Sequence, residues 1–329
     1  WKGCGDSPLT GISHNPWKHG YNAGGSSTGA AICAAAGIGL LHQGSDGAGS
    51  IRMPAAFCGV FGLKPSFGRI PYWPVPNNDL ISHIGPITRA VADAALALEV
   101  MAGPDDRDQT SLEAAPEPYL ARLEADMKGR RIAWSPDLGY LRVDPEIRAI
   151  CARAVEAFAE MGALVEPIEG PLWPDPWPME RCFYAANYAG NIGHLLNQWA
   201  DKMDPGLVAL TRDGMAYSAA DWVRARQQRA ELYDAVRALF ERYDLLLTPT
   251  LSVAAFPAGR LLPEHWEQHP WEWHRWAGFS YPFNLTWVPA ATCPCGFTKE
   301  GLPVGLQIVA ARHRDLLVLQ AARAFERAR

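Results

Sequence analysis

An α/β layered fold is what this sequence predicts, and three observations carry the prediction. Strand-like apolar runs alternate with amphipathic helical stretches along the chain. Between residues 131 and 167 a strand, a helix and a second strand follow one another, which reads as a β-α-β unit. A long helical stretch over residues 218–242 feeds directly into the apolar run Leu245–Thr248.

The elements follow in order. Ala30–Ala36 is a run of small residues with no polar face, so a helix there should be buried and closely packed. Gly37–Leu41 reads as a turn into a short buried strand, and Gly44–Ser50 as a Gly/Ser/Asp loop. Thr88 can cap a helix that runs to about Met101 and stops at Gly103-Pro104. In the β-α-β unit, Arg131–Trp134 and Ala163–Pro167 are the strands. Asp144-Pro145-Glu146 starts the helix, with an acid as cap and Pro in the first turn, and Gly162 ends it. Ile147, Cys151, Ala154 and Phe158 fall on one face of that helix. Ser218-Ala-Ala-Asp221 resembles a capping box, with Asp in place of the usual Glu or Gln, and opens a helix to about Arg242. Pro303–Val309 is the last strand and Asp315–Arg327 the last helix. Pro- and Trp-rich stretches at 171–178 and 263–276 read as long surface excursions. They either rim a substrate site or pack their indoles on the main body.

Composition narrows the function classes. The chain has 329 residues, 48% hydrophobic and 20% charged, the profile of a globular protein with a sizeable core. A net charge of -5 without blocks of like charge suggests neither a nucleic-acid nor a membrane-surface partner. No apolar run reaches transmembrane length. The seven cysteines are odd in number and lack a Cys-x-x-Cys pair, which argues against a disulfide scaffold or zinc ribbon and for a reducing, cytoplasmic setting. His265-Trp-Glu-Gln-His269, with His274 nearby, has its Glu in the wrong place for a zinc-protease motif, so no metal is expected. Cys293-Pro-Cys295 is too tight for a zinc knuckle and is expected to pack a strand end near the active site.

Two Gly/Ser clusters carry the chemistry. The first is Gly24-Gly25-Ser26-Ser27-Thr28-Gly29; the second is Gly44-Ser45-Asp46-Gly47-Ala48-Gly49-Ser50-Ile51-Arg52. Glycine-rich backbone lets successive N–H groups point into one concavity, which favours an anion. A phosphate-binding loop would end in Gly-Lys-Ser/Thr or be spaced Gly-x-Gly-x-x-Gly before a helix, and neither occurs. An oxyanion site wants a nucleophile beside the concavity, and Ser50 directly follows Gly47-Ala48-Gly49. A serine needs a base, yet no His-based pattern or Gly-x-Ser-x-Gly elbow is evident. His14, His19 and His42 read as loop or packing residues.

Residues 24–70 resemble the signature region of the amidase-signature family. Both clusters, Ser50-Ile51-Arg52, Pro54-Ala55, Cys58-Gly59, Leu63-Lys64-Pro65 and Gly68-Arg69 occur in family order. Asn15-Pro16-Trp17, Asp244–Thr250, Asn284, Pro289, Pro294-Cys295-Gly296 and Gly301–Gln307 extend the resemblance over essentially the whole chain. It implies an α/β fold with a mixed β-sheet core covered on both faces by helices. It implies one domain over residues 1–329, lacking its N-terminal portion.

It also implies a Ser–Ser–Lys triad acting on amides without a cofactor. Ser50 matches the nucleophile and Ser26 the proton relay, which in the family follows a cis peptide bond. The N–H groups of Gly47, Ala48 and Gly49, with that of Ser50, match the oxyanion hole. Asp46, Arg52 and Ser27 match supporting positions. Thr28 and Ala48 stand where relatives often have Gly, and Ala48 would not fit a position requiring positive φ. The family's lysine lies in a Lys-Asp context well upstream. Lys2 and Lys18 lie too near Ser26, Lys64 matches a structural position, and none of the lysines precedes Asp. The base is therefore expected outside this chain. A small-molecule amide is the expected partner, and a homodimer the expected assembly. The competing readings are a non-catalytic scaffold of the same fold and the glutamine-hydrolysing component of an amidotransferase.

Overall fold

The computed structural model describes residues 1–74, 76, 79–115 and 117–329. Its strands are β1 (Asp6–Ser7), β2 (Gly11–Ile12), β3 (His42–Asp46), β4 (Phe61–Lys64), β5 (His83–Thr88), β6 (Arg131–Trp134), β7 (Leu164–Pro167), β8 (Leu245–Pro249), β9 (Ala290–Phe297) and β10 (Pro303–Ala310). Its helices are α1 (Thr28–Ala35), α2 (Arg52–Cys58), α3 (Val91–Met101), α4 (Pro145–Glu160), α5 (Trp177–Ile192), α6 (Leu196–Trp199), α7 (Pro205–Met215), α8 (Ala219–Arg242), α9 (Tyr281–Leu285) and α10 (Asp315–Arg327).

Eight strands form one mixed sheet in the order β3-β5-β4-β9-β10-β8-β6-β7. β6 pairs in parallel with β7 and β8, and every other neighbouring pair is antiparallel. Side chains alternate between the two faces of a strand, so each central strand feeds two cores. Ala133 and Leu246 join Phe57 of α2, Phe183 of α5 and Val236 of α8 on one face. Ile132, Leu245 and Leu247 join Leu98 of α3, Phe158 of α4 and Phe325 of α10 on the other. The sheet is thus covered by helices on both sides, as the sequence resemblance implies.

The β-α-β unit stands where its apolar pattern predicts, and α4 buries Ile147, Cys151, Ala154 and Phe158. Asp144 sits at the N-cap of α4 without a side-chain cap bond. The capping box is present in full at α8: the Ser218 hydroxyl accepts from the Asp221 N–H, and Asp221 accepts from the Ser218 N–H.

Four local expectations need correction. Thr88 ends β5 rather than capping a helix; its hydroxyl donates to the Ala90 carbonyl at 2.8 Å, and α3 begins at Val91. The buried strand expected over Gly37–Leu41 is an exposed turn, and the strand is instead β3, which takes in part of the expected loop. Gly44 and Ser45 have poor intrinsic strand preference; pairing with β5 overrides it. Helix α1 is less buried than its composition suggests, because only Thr28, Ala31 and Ala34 are buried, while Ala30, Ile32 and Ala35 are partly covered. Cys293 and Cys295 pack in the core formed with α4, α3 and α10, where Cys295 lies 3.9 Å from Cys151, and they do not line the serine pocket described below.

Candidate active site

Chain reversal at the start of α1 and α2 brings the two Gly/Ser clusters together. The second cluster leaves β3 at Asp46, turns, and enters α2 at Arg52. The first cluster runs into α1 at Thr28, and the Gly25–Ser26 peptide is cis. Backbone and side chain of Ser27 join the two segments. Its N–H donates to the Ser50 carbonyl at 3.2 Å. Its hydroxyl lies 3.2 Å from both the carbonyl and the N–H of Ser45. A Cβ at Gly44 would meet the Ser27 hydroxyl at 2.7 Å, so glycine there permits this approach. Thr28 closes the first turn of α1 by donating to the Gly24 carbonyl at 2.6 Å.

Ser26 and Ser50 line the same pocket, about 230 Å³ in volume, together with Ser45, Gly47, Ala48 and Ser82. Trp1, Tyr72, Tyr184, Tyr188 and Trp273 supply its aromatic walls. A second cavity of about 350 Å³ adjoins it, sharing Tyr72, Pro76 and Ser82.

The nucleophile loop is held from behind by a buried polar cluster. Asp46 and Arg52 are both fully buried. The Arg52 guanidinium also donates to the Ser280 carbonyl at 3.0 Å, Gln307 Oε1 at 2.8 Å and Asn284 Oδ1 at 2.6 Å. Asn284 Nδ2 in turn donates to Asp46 Oδ1 at 2.9 Å and to the Asp46 and Ile81 carbonyls. Gln307 Nε2 is used by Thr248 and the Phe279 carbonyl. Burial alone would raise the Asp46 carboxyl, but the charge of Arg52 and its hydrogen bonds outweigh that and hold it well below the usual carboxylate range. Sequence reading placed Asp46 and Arg52 as supports. It marked Asn284 and Gln307 only as parts of matched strands, because nothing local ties residues so far apart in sequence.

Of the four N–H groups expected to face an oxyanion, the structure turns one away. Gly47 and Ala48 line the pocket, whereas Gly49 donates its N–H to Asp46 Oδ1 at 2.6 Å. Gly49, not Ala48, occupies the left-handed position of this loop, with φ 114°. That removes the steric objection to alanine at residue 48.

The six lysines separate clearly. Among the described pocket residues Lys2 is the only one. It is ion-paired to Asp6 at 2.7 Å and Asp204 at 2.8 Å. Burial works to lower its pKa, but the hydrogen bonds to Asp204 and Asp6 outweigh it, so the ammonium holds its proton above the ordinary lysine range. Lys64 is the opposite case: burial, aided by the charge of Arg52, drives it well below that range. Its amine donates to the Val288 carbonyl at 2.5 Å and is not part of the pocket.

The histidines do not gather at the serines. His14 and His19 lie against each other with ring centroids 4.0 Å apart, and His42 opens β3. His265 faces Asp144, His269 contacts the N–H groups of Trp271 and Glu272, and His274 is buried against Trp273. Among the described residues no group of three or more His, Cys, Asp and Glu is placed to hold a metal ion. In the two Trp-rich excursions, Trp173, Trp271 and Trp276 pack in the core, while Trp273 also reaches the serine pocket. No helix among the described residues is long and apolar enough to cross a membrane.

Comparison with known proteins gives consistent results. The sequence model of the family described as Amidase matches residues 3–319. The chain is 41% identical over 334 residues to an acylamidase of Rhodococcus erythropolis, covering 98% of this chain and 69% of that one. It is 34% identical over 348 residues to one of the subunits of the glutamyl-tRNA(Gln) amidotransferase of Synechococcus sp. (strain RCC307), covering 98% and 71%. Among solved structures, a bacterial aryl acylamidase of the amidase signature family superposes with a TM-score of 0.90 at 30% identity, covering 99% of this chain and 70% of that one. The 6-aminohexanoate cyclic dimer hydrolase does so with a TM-score of 0.89 at 26% identity, covering 99% and 72%.

Proposed function

The chain belongs to the Amidase family, and from that premise we propose that it hydrolyses small amides through an acyl-enzyme on Ser50, with Ser26 relaying the proton. The observation that carries this reading is the Ser27 N–H to Ser50 carbonyl bond, which ties the segment of the relay serine to that of the nucleophile beside one shared pocket. A hydroxyl is a weak nucleophile until a neighbouring group takes its proton.

The base of the relay is a lysine outside this chain. The carboxylates of Asp204 and Asp6 hold Lys2 in its protonated form, and Lys64, although driven toward the neutral form, is not in the pocket. The neutral lysine accepts the Ser26 proton, and Ser26 takes that of Ser50. The Ser50 oxygen attacks the amide carbon, and the N–H groups of Gly47 and Ala48, with that of Ser50, stabilise the tetrahedral anion. Loss of one such donor costs about 3 kcal/mol of transition-state stabilisation. Ser26 returns the proton to the leaving nitrogen, and water releases the acid by the same relay. We further propose that the enzyme is cytoplasmic and homodimeric.

For the substrate we propose an amide with an aromatic or otherwise apolar part. The aromatic walls around the serines, the adjoining 350 Å³ cavity and the 41% identity to an acylamidase support this class. The likeness to the amidotransferase keeps one second reading in play, release of ammonia from glutamine for a partner chain.

Labelling with a fluorophosphonate tests the nucleophile: the wild-type protein is modified at Ser50 and the Ser50→Ala variant is not. Full labelling of that variant would remove Ser50 from the role. Turnover of acyl anilides without glutaminase activity supports the free-standing amidase, and the reverse pattern supports the amidotransferase role.

A further inference from the structure

Helix α8 carries Arg226 and Arg229 three residues apart, so both project from neighbouring positions of one face. Arg312, beyond the end of β10, approaches from another wall. Arg226 and Arg229 line two adjoining cavities of about 230 and 310 Å³, which also share Leu80, and Arg312 lines the larger one. Among the described lining residues neither cavity has an Asp or Glu.

The arrangement is fixed rather than a spray of surface charge. Trp287 sits between two of the arginines, 4.6 Å from the Arg229 guanidinium and 5.2 Å from that of Arg312. The indole is itself pinned, stacked on Phe67 at 4.7 Å and donating to the Leu80 carbonyl at 2.6 Å. Arg229 is further held by donation to the Leu285 carbonyl at 2.6 Å. Arg312 Nε is buried and donates to no acceptor among the described residues. Arg226 is exposed and makes no hydrogen bond or ion pair among them. Glu180 feels the charge of Arg229, but burial pushes it up to about 8, so it stays largely uncharged at neutral pH.

The donors of Arg226 and Arg312, set in a partly dry groove whose described walls carry no acid, favour an anionic ligand. We propose that this groove binds an oxyanion, a carboxylate or a phosphate, carried on an apolar or aromatic body that lies against Tyr233, Leu285 and Trp287. Such a site stands apart from the serines. It still touches the turn beside them, because Leu80 lines both this groove and the cavity adjoining the serine pocket.

Isothermal titration of the full-length protein with inorganic phosphate, phenyl phosphate and 3-phenylpropionate tests the site. Binding of a phenyl-bearing anion is expected in preference to inorganic phosphate, and it should weaken with added salt. An Arg226→Gln, Arg312→Gln double variant should bind about tenfold more weakly or worse. Its amide hydrolysis without the anion should be unchanged. The stronger of the two phenyl probes identifies the headgroup. No binding of any probe at millimolar concentration would overturn the proposal. So would equal binding to the variant, which would place the anion away from these two arginines. Should the double variant fail to fold, Arg226→Gln alone carries the test, since that exposed side chain makes no hydrogen bond or ion pair among the described residues.

Discussion

Asp46 and Arg52 meet in a two-point contact, Nε to Oδ2 at 3.0 Å and Nη2 to Oδ1 at 2.9 Å, and neither side chain reaches solvent. The same carboxylate accepts the N–H groups of Gly49 at 2.6 Å and Ile51 at 3.3 Å, on either side of Ser50. One ion pair therefore sets both the entry to α2 and the backbone of the nucleophile.

Removing one charge of that pair should be costly. Asp46→Asn leaves Arg52 buried without its counter-ion, and a loss of about 3–5 kcal/mol is expected. Denaturant unfolding measures this, and a change below about 1 kcal/mol would mean that Arg52 finds another partner.

Two glycine-to-alanine changes should move in opposite directions. At Gly49, φ is 114°, and a Cβ would meet Ser280 Oγ at 2.6 Å and Cβ at 2.7 Å. Gly49→Ala should destabilise the protein and abolish turnover by displacing the neighbouring Ser50. At Gly29, in helix α1, nothing lies within 4 Å of the added atom. Gly29→Ala should stabilise by about 0.5–1 kcal/mol. Thermal melts of both variants, with turnover, give the comparison.

Ser26→Ala should fold normally and lose hydrolysis by about 10²–10⁴-fold, the scale of a lost proton-transfer group. Turnover within a few-fold of wild type would show that the proton of Ser50 leaves by another route.

Lys2→Met tests whether the pocket's own lysine is the base. Its two carboxylates keep it charged, so reaction of Ser50 with a fluorophosphonate should fall by less than about tenfold. A loss of several hundredfold with the fold intact would reverse the assignment.

Glu180 sets a pH dependence of stability. Both carboxylate oxygens are buried without a hydrogen-bond partner among the described residues, His274 Nε2 lying 3.9 Å from Oε1, and desolvation raises the group to about 8 in the folded protein. The unfolded value is about 4.3. The folded form thus holds a proton that the unfolded form releases. Stability is complete below about pH 4 and declines as pH rises toward 8. Glu180→Gln should flatten that decline when unfolding is followed from pH 5 to 8. An unchanged slope would show that Glu180 ionises within the fold.

Much of this was legible from the sequence because the signals are local. The Asp-Pro-Glu start of α4, the Ser-to-Asp box of α8 and the apolar strands of the β-α-β unit each depend on residues a few positions apart. The Gly/Ser clusters, read with the family resemblance, named Ser26, Ser27, Asp46, Ser50 and Arg52, and the structure brings these five together.

What remained hidden depends on contacts between distant segments. Gly44 and Ser45 become a strand only because β5 pairs with them. Thr88 ends a strand because it pairs with Phe61 of β4. Gly49 turns its N–H from the pocket to Asp46 Oδ1, which Asn284 of the distant α9 also holds. Asn284 and Gln307 complete the buried cluster from α9 and β10. Residue order determined which groups this protein has for its chemistry and where the elements with local start signals, α4 and α8, begin. Only tertiary packing decided which donors face the pocket, because a hydrogen bond is fixed by angstroms of separation and sequence spacing does not measure them.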